Sequence, residues 1–376
     1  MYAIVNASGF NGKGEKFEQQ TILIKEGKLE RVDSSKEVPE GYEVIDATGK
    51  VVTPGLIDVH THIGVFEQGI GREGHDFNET SSATTAQIRA LDGINPFDQG
   101  FEDARQGGVT TVQILPGSAN VIGGEMAIVK TAGTVVDEMI VQAPSGLKAA
   151  TGENPKRVHG GKGNLPTTRM GVAALLRQKL IEAQNYLEKK EDKERNLELE
   201  QIAKVLEGKM PLRVHAHRAE DIATVLRVKN EFNIDVTIEH GTEGHLITDF
   251  IAKHDVSIAV GPTMTSRSKV ELVNRGWHTL PAYAEANIPF AITTDHPVVT
   301  IEHLITSAIM SVKHGLDESI AMKALTLNAA KHLGIDDRVG SLEEGKDADI
   351  VIWSGDPFDL RNSVERTMID GHWVFG

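Results

Sequence analysis

His60 and His62 stand one residue apart at the end of the apolar stretch Val51-Val-Thr-Pro-Gly-Leu-Ile-Asp-Val-His-Thr-His62. If that stretch is a strand, alternate side chains leave the same face, and the two imidazoles project together as a pair of metal ligands would. Later apolar runs end in residues of related chemistry: Lys148 after Ala143-Pro-Ser-Gly-Leu, His215 and His217 in Val214-His-Ala-His-Arg218, His240 in Ile238-Glu-His-Gly241, and Asp295 in Ile292-Thr-Thr-Asp-His-Pro297. Imidazole nitrogen and carboxylate oxygen suit Zn²⁺ and its first-row neighbours. A bound divalent ion lowers the pKa of a water from ~16 to about 7 and polarises a carbonyl under attack. The chemistry on offer is therefore attack by activated water.

Such residues must be carried to one place by regular elements. Between residues 54 and 340 the hydrophobic pattern alternates strand and helix, which implies a parallel sheet joined by crossovers. Strands are expected at Ile57–His62, Thr110–Leu115, Ala127–Lys130, Met139–Lys148, Leu212–His217, Asp235–His240, Ser257–Val260 and Phe290–Asp295. Helical periodicity marks Met170–Lys189, Asn196–Glu207, Ala219–Phe232, His245–Lys253, Ile301–His314 and Ser319–Leu333, the last capped by Asp317 and ended by Gly334. The fold class is α/β, a (β/α)₈ TIM-like barrel, and in such barrels chemistry sits at the C-terminal ends of the strands. Residues 1–53 and 341–376 instead have the texture of short strands and Gly turns, with an Asp370-Gly371 hairpin near the end.

Composition narrows the function further. The net charge of −15 argues against nucleic acid or an anionic membrane as partner. With no cysteine in the chain, thiolate ligands, cysteine nucleophiles and disulfides are excluded, leaving His, Asp, Glu and Lys to hold a metal. The first ten residues lack a basic, then apolar, leader, and no segment has the apolar length of a membrane helix. A soluble, cytoplasmic protein acting on a small molecule is the expectation, and a homo-oligomer is compatible with it.

The run from Pro54-Gly55 through Asp58 to His60-Thr-His62, followed by His215, His240 and Asp295 in that strand order, resembles the metal site of the amidohydrolase superfamily of metal-dependent hydrolases. Gly340-Ser-Leu-Glu-Glu-Gly-Lys-Asp-Ala-Asp349, Ser354-Gly-Asp-Pro-Phe-Asp359 and Gly152-Glu-Asn-Pro-Lys-Arg157 are similar to segments of its imidazolonepropionase-related group. The resemblance implies a small discontinuous β-sandwich domain from residues 1–53 and 341–376 beside the barrel of 54–340. It implies one or two divalent ions, Zn first, with Fe, Mn or Ni as the other choices. His60, His62, His215, His240 and Asp295 would be ligands, with His240 and Asp295 in the catalytic set and Asp295 as general base and then acid. His217 would face the substrate or support the ligands. Gly146-Leu-Lys148 is similar to the lysine segment of the urease alpha subunit, where a lysine carboxylated by CO₂ bridges two ions; the alternatives are an ordinary surface or ion-paired lysine at 148, or Lys130 as the bridge.

Hydrolysis of a carbon–nitrogen bond, amide or cyclic amide, is the activity this implies. Dipeptidase-like or N-acyl amino acid hydrolysis and deamination of a ring are alternatives on the same site, the deaminase reading requiring a Glu soon after the strand-five histidine, where Glu220 is the nearest. A non-catalytic binding or assembly protein on the same scaffold is the alternative of another class. The loop 152–169 is basic after Glu153, so Arg157 or Arg169 could hold a substrate carboxylate. Arg267, in the loop after the seventh strand, is a further substrate-binding candidate.

Overall fold

The computed structural model describes residues 1–161, 163–189 and 194–376. Strands β1 (Tyr2–Phe10), β2 (Lys16–Lys25), β3 (Lys28–Asp33), β4 (Glu43–Asp46) and β5 (Val51–Pro54) come first. The barrel strands follow: β6 (Leu56–Thr61), β7 (Val109–Ile114), β8 (Ile122–Lys130), β9 (Ile140–Ala150), β10 (Leu212–Ala216), β11 (Val236–His240), β12 (Ile258–Val260) and β13 (Phe290–Ile292). The chain finishes with β14 (Ile350–Trp353), β15 (Val364–Ile369) and β16 (His372–Phe375).

Strands β6 to β13 form one eight-stranded sheet in sequence order. Most of their residues are buried, as in a sheet covered on both faces. The two edges come together to make a nearly closed barrel. The His62 N–H donates to the His296 carbonyl at 2.8 Å, and the Thr294 N–H donates to the Asp58 carboxylate at 3.1 Å. Asp58 thus ties the first strand to the segment after the last.

The expectation of an all-parallel barrel needs one correction. Strand β8 runs antiparallel to both β7 and β9. The physical reason is connection length: 115–121 and 131–139 are too short for a crossover, which takes about a dozen residues or more. Reversal puts the C-terminal end of β8 at the opposite mouth of the barrel. Lys130, the alternative bridging lysine, is therefore remote from the histidines. Its Nζ lies 3.1, 2.7 and 3.2 Å from carboxylate oxygens of Asp347, Asp349 and Asp370, which hold its pKa up at about 12 against burial.

Helices Arg169–Glu188, Leu197–Leu206, Ala219–Phe232 and Leu304–Lys313 lie where the periodicity places them. The expected helix 319–333 is two, Glu318–Leu325 and Leu327–Leu333, broken at Thr326, whose hydroxyl donates back to the Met322 carbonyl at 2.7 Å. Asp317 caps the first by accepting from the Ser319 and Ile320 amides, and Gly334 ends the second at φ 76°. The expected helix 245–253 shrinks to short turns at Gly244–Leu246 and Thr248–Ile251, while helices Gln99–Gln106 and Thr279–Glu285 were not legible from periodicity.

Both chain ends share a second sheet, in the order β16-β15-β14-β5-β1-β2-β3 with β4 beside β1. It has its own apolar cluster, including Ile4, Ile22, Val52, Ile350 and Met368. Among the described residues no helix is long and apolar enough to cross a membrane.

Candidate metal centre

At the barrel mouth the ends of β6, β9, β10, β11 and β13 bring together side chains that are far apart in sequence. His60 and His62 each present Nε2 at 3.4 Å from Oδ1 of Asp295. One ligand atom from each of His60, His240 and Asp295 lies within 4.8 Å of the others, and the same holds for His215, His217 and His240. His240 belongs to both groups. Two of the residues reach the centre by backbone turns that a regular strand would not make: His240 has φ 77° and Asp295 φ 55°. Left-handed conformations are costly for side chains of this size and cluster at functional sites.

The second nitrogen of each ring has a fixed partner. His62 Nδ1 donates to the Leu115 carbonyl at 2.8 Å, and His240 Nδ1 to the Gly261 carbonyl at 2.7 Å. His60 Nδ1 lies 2.8 Å from Oε2 of Glu239, His215 Nδ1 2.9 Å from the Ser118 hydroxyl, and His217 Nδ1 2.7 Å from the Thr242 hydroxyl. A proton on Nδ1 leaves the Nε2 lone pair for a cation, the usual way a metal-binding imidazole is oriented. Nε2 of His215 is buried without a hydrogen-bond partner among the described residues. An orphaned, lone-pair-bearing nitrogen on a ring grouped with the His217 and His240 imidazoles fits a divalent cation.

Electrostatics favour the same neutral state for His62, His215, His217 and His240. Burial, with His240 next, pushes His215 and His217 well below the ordinary imidazole range. Burial lowers His62 too, and together with His60 takes His240 down to about 3. His60 alone is raised: burial and Lys148 work against its proton, but bonds to Asp295 and Glu239 outweigh them. Burial opposes ionisation of Asp295, yet the neighbouring imidazoles of His60, His62 and His240 hold it well below the carboxylate range.

Lys148 lies fully buried on β9 with Nζ 3.4 Å from Nε2 of His60. Burial draws it down to about 8, against the pull of Glu239 and Asp295. Glu239 itself is missed by strand-end reasoning because it precedes the histidine that ends β11. The visible signal is a carboxylate inside an otherwise apolar strand, Val236-Thr-Ile-Glu-His240. It also pairs with Nε2 of His332 at 3.4 Å.

A cavity of about 560 Å³ opens beside these groups, lined by His62, His215, His217 and Asp295 and by Phe66, Phe77 and Arg157 among others. Arg169 and Arg267, expected to bind substrate, are not in its wall. Arg169 is committed to the Asp221 carboxylate at 3.0 Å, and Arg267 donates to the Val273 and Arg275 carbonyls at 3.0 and 2.9 Å. Lys269 lines the cavity instead and had no sequence signal beyond membership of the same loop.

The profile of the Amidohydrolase family matches residues 51–374. An amidohydrolase named tasK from Hapsidospora irregularis is 28% identical across 93% of this chain, which spans 39% of that protein's length. An imidazolonepropionase of Legionella pneumophila (strain Corby) is 23% identical, with 99% of this chain and 98% of that one covered. Among solved structures, an amidohydrolase from Thermotoga maritima MSB8 superposes with a TM-score of 0.96 at 42% identity, all of both chains being covered. The chain belongs to the amidohydrolase family, hydrolases acting on carbon–nitrogen bonds.

Proposed function

We propose that this chain hydrolyses an amide or cyclic amide of a small molecule, with a divalent cation held by His60, His62, His240 and Asp295 and by His215 from β10. The observation that carries the reading is the convergence of Nε2 lone pairs on one carboxylate, each ring being held by a partner on its other nitrogen. When bound, the cation supplies a water of lowered pKa and polarises the carbonyl. Zinc is the first choice, with iron, manganese or nickel as the others. Asp295, ionised at neutral pH, accepts the proton of the attacking water and returns it to the departing nitrogen as the carbon–nitrogen bond breaks. His217, stacked on His240 with ring centroids 4.5 Å apart, faces the cavity as a substrate contact.

Lys148 is read as a carboxylated bridge for a second ion. Only an uncharged amine adds CO₂, and burial brings this one to about 8, within reach of that state. The deaminase reading is weaker, because Glu220 is paired with Arg218 at 2.6 Å on an exposed helix turn and is not in the cavity wall. The same proposal takes the terminal sheet as a small β-sandwich domain, supported by its separate apolar cluster, and takes the cytosol as its compartment.

Purified protein is expected to hold about one or two equivalents of divalent metal and to lose it on His60→Ala. Loaded protein is expected to cleave at least one compound in a panel of cyclic ureides, N-acyl amino acids and dipeptides. A folded, metal-free protein inert across the panel would leave only the binding-scaffold reading. For Lys148, intact-mass measurement under CO₂ should find one carboxyl adduct that Lys148→Met lacks.

A further inference from the structure

The chain carries a net charge of −15, yet the wall of its catalytic cavity does not. Its described lining holds two full cations, Arg157 and Lys269, against one carboxylate, Asp295, which the metal centre uses. Arg157 is exposed and makes no ion pair or side-chain hydrogen bond among the described residues. Lys269 is anchored, with Nζ 3.1 Å from Oε2 of Glu271 and 3.3 Å from Oδ1 of Asn154. An ammonium has three protons to donate, so one remains for a ligand.

The anchor is itself built into the fold. Glu271 is wholly buried, and its Oε1 accepts from the Glu153 amide at 2.5 Å, which stitches the loop after β12 to the loop after β9. Its Oε2 lies 3.8 Å from Nε2 of His215. The chain admits this carboxylate only because residue 152 is glycine: a Cβ there would sit 2.1 Å from Oε1 of Glu271, and the backbone has φ 74°. The two loops that carry Arg157 and Lys269 are therefore held in register with the metal-facing histidines. Phe66, Phe77, Leu272 and Val298 supply an apolar flank to the same cavity.

We infer that Arg157 and Lys269 form a carboxylate-binding pole, and that the substrate is an amide carrying a free carboxylate close to the scissile nitrogen, as in an N-acyl amino acid or dipeptide. The site rests on the hydrolytic reading for the fate of the amide, but anion recognition stands on the cavity alone. An anchored ammonium beside an apolar flank, with a guanidinium free to close on the ligand, favours an anion over its neutral isostere. The apolar flank would take the side chain or acyl group.

The test uses a matched pair of non-hydrolysable probes, N-methylphosphonyl-L-leucine and its carboxamide, titrated calorimetrically into the metal-loaded protein. The free acid is expected to bind at least tenfold tighter than the carboxamide. Lys269→Met and Arg157→Met should each reduce that ratio by threefold or more while changing carboxamide affinity by less than threefold. Because the ratio is internal to each variant, a loosened fold weakens both probes and does not imitate the effect, and Arg157 is too exposed for its loss to unfold the chain. Equal binding of acid and carboxamide, a ratio unchanged in both variants, or no binding of either probe would overturn the pole. Turnover of neutral amides with no acid preference would remove the pole and keep the hydrolase. An acid preference in a protein that cleaves nothing would keep the pole and remove the hydrolase.

Discussion

Glu239 places Oε2 2.8 Å from Nδ1 of His60, with both side chains wholly buried beneath the candidate metal centre. Consecutive residues of a strand face opposite ways, but φ 77° at His240 turns that ring back toward His60, to a centroid distance of 4.7 Å. One strand end thereby supplies both a proposed ligand, His240, and the carboxylate that orients another, His60. Burial works against the Glu239 charge, but bonds from His332 and His60 hold it well below the ordinary range. Glu239→Gln is expected to weaken metal binding roughly 10- to 100-fold, read by competition with a chelator. Wild-type affinity in that variant would show that His60 needs no such partner.

Asp295→Asn should keep a coordinating oxygen and lose the proton acceptor. We expect metal content near that of the parent and turnover lower by about 10²- to 10⁴-fold, with little change in substrate affinity. Rates and bound metal measured on the same preparation separate the two roles; undiminished turnover would assign the proton to another group.

The Lys130 cluster predicts a pH-dependent stability. Its ammonium and the Asp347 and Asp349 carboxylates are each at most 5% exposed. Burial raises Asp347, but Lys130 and Lys28 overcome it, so its folded pKa is below the unfolded value. Its contribution is thus present above about pH 4 and is lost as pH falls through the lower folded value. Lys130→Met is expected to cost about 3–5 kcal/mol near neutrality, the deficit shrinking as Asp347 protonates. Urea titrations at several pH values check this; a deficit that is the same at every pH contradicts it.

Gly152→Ala combines a left-handed backbone with a contact that Glu271 cannot relieve without moving. The expected loss is of order 1–3 kcal/mol from the backbone alone, with a lower acid preference as Lys269 loses its anchor. A denaturant melt and the paired-probe titration read the two effects separately. Unchanged stability would mean the loop relaxes freely.

Much of this was legible in the chain because barrel chemistry is written at strand ends. Val214-His-Ala-His217 and Ile238-Glu-His240 each couple an apolar run to a polar stop, and that local pattern is visible without coordinates. Strand direction was not: β8 is as apolar as its neighbours, and only the short links either side betray its reversal. Glu271 and Lys269 were hidden for a different reason, since their roles depend on Gly152 and Asn154 arriving from a loop more than a hundred positions earlier. Arg169 shows the converse error, a basic residue near the right loop that Asp221 had already claimed.

In the terminal sheet Val52 pairs with Ile352, and the entire barrel is threaded between them. Bringing two such distant segments together from an open chain is entropically slow, whereas a collapsed barrel delivers them as neighbours. Amide protection is therefore expected to appear in the β6–β13 sheet before the β5–β14 ladder during refolding. Pulsed hydrogen exchange that finds the ladder protected first would reverse the order.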